Sequence, residues 1–151
     1  MPWITRPSKG QRLTLAAALL GGAVVSVPLG WWLTDNLSWG SPLYCIEQPG
    51  QLWNGLAPVP AGLSPTCPDS ASYRQEVRAG ESRVEQYLAA GWQPLAAARV
   101  LRARGYVLLD DELMAPDHYS AFLGKALPAE LHYTAVKQGD QTLITISGAA
   151  R

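Results

Sequence analysis

Residues 131–147 read Leu-His-Tyr-Thr-Ala-Val-Lys-Gln-Gly-Asp-Gln-Thr-Leu-Ile-Thr-Ile-Ser, two β-type runs around Gln138-Gly139-Asp140-Gln141. Glycine at the first central position of a two-residue turn gives a hairpin whose twist suits its strands. That turn fixes a register: Gln138 faces Gln141, Val136 faces Leu143, Ala135 faces Ile144, Tyr133 faces Ile146 and His132 faces Ser147. Because strand side chains alternate, Leu131, Tyr133, Ala135, Ile144 and Ile146 then share one apolar face. His132, Thr134, Thr145 and Ser147 share the other, with Val136 and Leu143 near the turn.

The residues before the hairpin supply the layer that the apolar face needs. Ser72-Tyr73-Arg74-Gln75 and Ser82-Arg83-Val84-Glu85 both have capping-box form, and Tyr73, Val77, Val84, Tyr87 and Leu88 follow helical spacing. They predict a helix that breaks near Gly80 and ends at Gly91. Pro94 suits the first turn of a second helix running to Arg104, with Gly105 as a left-handed stop. Arg99, Arg102 and Arg104 fall in its last turns, where cations favour the carbonyl end of the helix dipole. Tyr106 to Leu109 is strand-like, and Asp117 is placed to cap a short helix from His118 to Leu123. Residues 71–151 are therefore expected to form an α+β domain, two or three helices on an antiparallel sheet of about three strands.

Residues 34–70 differ in character, with prolines at 42, 49, 58, 60, 65 and 68 among several glycines. That density predicts an irregular loop, held against the domain by Leu52, Trp53, Leu56 and Leu63. Cys45 and Cys67, the only two cysteines, lie within it. Their spacing suits neither a four-ligand zinc site nor a Cys-x-x-Cys redox pair, so a disulfide in an oxidising compartment is the expected state.

The run from Leu13 to Leu33 is 21 residues without a formal charge. As a helix it would span roughly 30 Å, a bilayer's hydrocarbon core. Arg6, Lys9 and Arg12 precede it in the segment 1–12, which places the N-terminus in the cytoplasm by the positive-inside rule. Trp31, Trp32 and Trp39 then sit at the outer interface. Ala18, Gly21, Gly22 and Ala23 would permit close packing against another membrane helix. A cleaved signal peptide, with Gly21-Gly22-Ala23 as the cleavage site, is the competing reading. Abundant alanine and arginine, and an Asn36-Leu37-Ser38 sequon too close to the membrane for use, favour a bacterial inner membrane with the C-terminal domain in the periplasm.

From Thr34 onward nine basic residues stand against all twelve acids. That balance argues against nucleic acid as a partner. Asp110, Asp111 and Glu112 could approach a cation with Asp117 or His118, but neighbours on a strand point to opposite faces and cannot converge. A serine-histidine pairing of His132 with Ser147 lacks an acid and an oxyanion motif. The sequence thus leads to no metal, no cofactor and no catalytic residue. The expectation is a non-enzymatic accessory or interaction subunit of an envelope complex, partnered by membrane lipid and other envelope proteins. Its candidate interaction residues are His132, Thr134, Thr145, Ser147, Arg99, Arg102 and Arg104. A tethered binding module for a soluble ligand or secreted protein is the alternative, and a small envelope enzyme comes third.

Overall fold

In a computed structural model describing residues 26–53, 55–125 and 130–150, the alternation of the C-terminal hairpin extends over most of the chain. Three helices occur among the described residues: α1 (26–40), α2 (Ala71–Ala79) and α3 (Ala96–Ala103). The strands are β1 (Gln51–Leu52), β2 (Ala57–Pro58), β3 (Leu63–Thr66), β4 (Ser82–Ala90), β5 (Val107–Ala115), β6 (His118–Gly124), β7 (Glu130–Gln138) and β8 (Gln141–Ala149). β1 and β2 form a small ribbon, and the other six form one antiparallel sheet in the order β3-β4-β8-β7-β6-β5. The chain divides at Gly40 into two units.

In the N-terminal unit, the first part of the expected membrane span lies outside the described residues, as do Arg6, Lys9, Arg12, Ala18, Gly21, Gly22 and Ala23. Its second part, 26–33, is helical, and α1 continues to residue 40 rather than stopping at 33. Along the continuation, polar side chains bond back to carbonyls of the preceding turn. Thr34 donates to the carbonyls of Gly30 and Trp31, Asn36 to that of Trp32, and Ser38 to that of Thr34. The Trp39 indole N–H donates to Asp35 at 3.0 Å. Val27, Leu29, Trp31 and Trp32 are exposed along this helix, Trp31 to 71%. Among the described residues no helix is long and apolar enough to cross a membrane.

In the C-terminal unit the β7–β8 hairpin has the expected register, including His132 opposite Ser147 and Gln138 opposite Gln141. Gly139 has φ 60°, and Trp53 is the only described non-glycine residue with positive φ, so Asp140 is not left-handed and the turn is of the II′ kind. Leu131, Tyr133, Ala135, Ile144 and Ile146 are all buried, as their parity requires.

Three expectations are corrected. The sheet has six strands rather than about three. Ser82–Ala90 is a central strand, not the second half of a helix; only the stretch to Ala79 is helical, closed by Gly80 at φ 71°. Alternation wins there because Arg83, Glu85, Tyr87 and Ala89 all turn inward, where the polar members satisfy one another. His118–Gly124 is also a strand: Pro116-Asp117 turns a hairpin between β5 and β6, and Ala121 and Leu123 point into the core.

The stretch around the prolines is a loop with three short strands. β3 is an edge strand, the position in which Pro65 is tolerated. Cys45 and Cys67 are disulfide-bonded with Cα atoms 5.6 Å apart. The Tyr44 hydroxyl donates to the Pro68 carbonyl at 2.6 Å, and Leu52 and Trp53 are buried, so the loop is laid on the domain as expected. α3 covers the same side of the sheet through Ala97, Ala98 and Leu101, with the Tyr133 hydroxyl donating to the Pro94 carbonyl at 2.8 Å.

Candidate functional site

Burial divides the sheet into two unlike faces. On the inner face, Arg83, Glu85, Tyr87 and Ala89 of β4 lie beside Ile144 and Ile146, and these beside Leu131, Tyr133 and Ala135. Its buried carboxylate is fully occupied. Glu85 accepts from the Trp53 backbone N–H at 2.6 Å, the Tyr87 hydroxyl at 2.8 Å, and Arg83 Nε and Nη2 at 3.1 and 2.8 Å. Arg83 also pairs with the exposed Glu47 at 3.1 Å. Burial, and then the charge and hydrogen bond of Glu85, push the Tyr87 hydroxyl well above the usual phenol range. A carboxylate held this way has no free lone pair aimed at a ligand, so the cluster serves to hold the loop around Trp53 on the sheet.

On the opposite face most side chains stay half-buried, and the strand register arranges them in rows. One row is polar across five strands: Thr66, Gln86, Thr145, Thr134 and Ser120 are successive neighbours from β3 to β6. Gln86 Nε2 donates to Thr145 Oγ1 at 3.0 Å. On one side of this row stand Leu88, Leu143 and Val136, and on the other Ser147, His132 and Phe122, with Val84 beyond Ser147 fully buried. Phe122 stacks on His132 with ring centroids 4.8 Å apart, and His132 Nε2 shares a 3.0 Å hydrogen bond with Ser120.

At the β5 margin of this face the surface becomes apolar. Val107 pairs with Gly124, and Leu109, at a bulge in β5, lies over the same glycine, where a Cβ would come within 2.8 Å of its side chain. Val107, Leu109 and Phe122 remain 59, 56 and 38% exposed. Gly124 is thus bare because Leu109 occupies the space above it.

The candidate interaction residues are partly brought together. His132, Thr134, Thr145 and Ser147 share the open face, half-buried, as parity demanded. Arg99, Arg102 and Arg104 are exposed on and just after α3, which packs on the inner face through Tyr133, so they stand apart from that group. Asp110 and Asp111 pair with Phe122 and Ala121, residues of opposite faces, and no three His, Cys, Asp or Glu side chains among the described residues could hold a metal ion. His132 bonds Ser120 rather than Ser147. Ser120 is buried and the imidazole is stacked by Phe122, so the pair is a contact within the sheet.

Ser120, Phe122, Gln86, Val107 and Leu109 were not among the sequence candidates. The signal for the first two was the alternation His118-Ser120-Phe122 against Tyr119-Ala121-Leu123, hidden by a helical reading of that segment. No protein-family model matches the chain, and no match is found among curated proteins or solved structures.

Proposed function

We propose that this chain is a non-enzymatic, membrane-anchored accessory or interaction subunit of a bacterial envelope complex. Its N-terminus is cytoplasmic, its disulfide-closed domain is periplasmic, and the open face of the sheet receives a protein partner. The observation that carries this reading is the polar row across five strands, flanked by leucine, valine and phenylalanine positions. Covering such a row permanently with an apolar layer would strand its hydroxyl and amide groups at a few kcal/mol each. A partner that brings its own polar groups and water can cover it reversibly, as non-obligate interfaces do. The Cys45–Cys67 bond supports an oxidising compartment, and exposed Val27, Leu29, Trp31 and Trp32 on α1 support a lipid environment for that helix.

A photo-crosslinking residue in place of Thr134 or Thr145 in intact cells is expected to capture one defined envelope protein. The same residue at Arg78, on exposed α2, is expected to capture none. Loss of the distinction between these positions would remove the open face as the interface. Replacing the N-terminal helix with an unrelated anchor tests the rival: a tethered binding module would retain full activity, whereas a subunit that also packs through its membrane helix would not. Protease added to right-side-out vesicles should digest the C-terminal domain; survival until lysis would overturn the topology.

A further inference from the structure

The open face leaves Arg99, Arg102 and Arg104 unused. They belong to a stretch, from Gln86 to Leu109, that contains no acidic residue. Leu95, Arg99 and Arg102 are spaced four and three apart, so they share one face of the α3 segment, while Ala97, Ala98 and Leu101 form its buried side. Arg104 follows at the helix end. Lys125 reaches the same place, its ammonium donating to the Arg104 carbonyl at 2.8 Å. All four cations are exposed, and among the described residues none of them forms an ion pair.

The helix dipole accounts for Arg102 and Arg104, which stand at the carbonyl end of α3. It does not account for Arg99 in mid-helix, for Lys125 arriving from beyond β6, or for the apolar groups among them. Leu95 is 41% exposed, and Leu108, which has the inner-face parity of its partner Leu123, is 39% exposed. Asp110 and Glu130, described acids at this end of the sheet, pair with Phe122 and Gly124 and so have the parity of the open face. Asp140 lies at the β7–β8 turn, beyond the start of α3. Cations and exposed leucines therefore share the α3 side of the domain.

That combination fits the surface of an anionic bilayer, whose headgroup layer offers negative charge in every direction and an acyl boundary just beneath. A soluble anion would leave the leucines in water, and an acidic protein would need carboxylates placed to match four separate cations. We infer that the outer surface of α3, with Arg104 and Lys125 at its end, docks on the anionic headgroups of the membrane. The inference rests on the proposed anchor, which keeps the domain at a bilayer surface. α3 lies on the inner side of the sheet, so this docking turns the open face away from the lipid, where a protein partner can reach it.

The test uses the full chain in vesicles, with an environment-sensitive fluorophore on Leu95→Cys and nitroxide-labelled lipid headgroups as quencher. No other thiol is free among the described residues. Quenching should be strong in phosphatidylcholine vesicles containing phosphatidylglycerol and weak in phosphatidylcholine alone. It should vanish at about 1 M salt, where charges are screened beyond about 3 Å. Arg99→Gln, Arg102→Gln and Arg104→Gln should each lower the ratio of docked to free domain about fivefold. The same label on Gln75→Cys should stay unquenched, because α2 lies by the start of β4, where Ser82 donates to Glu76. The proposal is overturned if Leu95→Cys is unquenched with anionic lipid, which would leave the arginines to an acidic protein. Equal quenching in neutral vesicles, equal quenching at Gln75→Cys, or indifference to salt and to the three substitutions would overturn it as well. Flotation with neutral vesicles reads the anchor separately: a chain that floats only with anionic vesicles would lack the anchor and still support the docking surface.

Discussion

The Glu85 carboxylate, on the inner face of β4, accepts the backbone N–H of Trp53 at 2.6 Å, across 32 positions of sequence. Trp53 carries a positive φ of 44° and is buried, so this bond helps to hold a backbone conformation that non-glycine residues seldom adopt. The same carboxylate also neutralises buried Arg83. Glu85→Gln should therefore lower stability by about 3 kcal/mol in urea denaturation, because the guanidinium keeps only exposed Glu47 as a counter-charge. Combining Arg83→Met with Glu85→Leu should recover part of that loss. It should still fall about 1–2 kcal/mol short, since the Trp53 N–H loses its acceptor and the Tyr87 hydroxyl keeps only its longer bond to the Gln51 carbonyl. An unchanged midpoint in Glu85→Gln would mean that the cluster does not hold the loop.

The loop's other attachment is covalent. Cys45 and Cys67 close a segment with a sequence separation of 22 that contains Trp53 and both strands of the small ribbon. Opening it by Cys45→Ser with Cys67→Ser should cost on the order of 3 kcal/mol through the freedom returned to the unfolded chain. Hydrogen exchange should quicken most in residues 44–58, where the bond and the Glu85 contact act on the same backbone. Uniform acceleration across the sheet instead would show that the disulfide acts on global stability alone.

The C-terminal hairpin was legible in the sequence because both of its signals are local: Gly139 sets the turn, and apolar and polar residues alternate on either side. β4 was not. Ser82-Arg83-Val84-Glu85 has the form of a helix cap, and Arg83 and Glu85 read as surface residues until the fold supplies Trp53 and Glu47 to pair with them. Their inward direction depends on partners far along the chain, which no window of sequence contains. β6 failed for a related reason: Pro116-Asp117 serves a helix start or a turn equally well, and the choice is made by pairing with β7. The candidate site followed the same division. His132, Thr134, Thr145 and Ser147 could be placed on one face from parity alone, whereas Ser120, Phe122 and Gln86 joined them only once the strand order was fixed.

Tyr133 closes the start of α3 from the sheet. Its hydroxyl donates to the Pro94 carbonyl and faces the backbone N–H groups of Ala97 and Ala98, while Leu95 at the N-cap has no side-chain cap bond. Tyr133→Phe should cost about 1–2 kcal/mol, because buried helix-end groups lose a partner while the packing of the ring is kept. Near-ultraviolet circular dichroism should retain the aromatic signal of the core. A larger collapse would show that the ring, not the hydroxyl, is what the site depends on.

Tyr87, Tyr106 and Tyr133 hold their protons more tightly when folded, with burial the leading cause in each. The Tyr106 hydroxyl is enclosed without a well-formed hydrogen bond among the described residues, the Trp53 indole offsetting part of the cost. In the unfolded chain a phenol loses its proton at about pH 10. The stability contributed by these groups is therefore fully present below about pH 10 and is lost as pH rises toward their folded values, because the unfolded chain releases protons that the fold retains. In an alkaline titration, part of the phenolate absorbance should be delayed until the circular dichroism signal of the sheet disappears. Tyr106→Phe should shift that unfolding to higher pH, since it removes one deferred ionisation and a hydroxyl with no good partner. If all six phenols ionise while the sheet signal is intact, the packing assigned to the inner face is wrong.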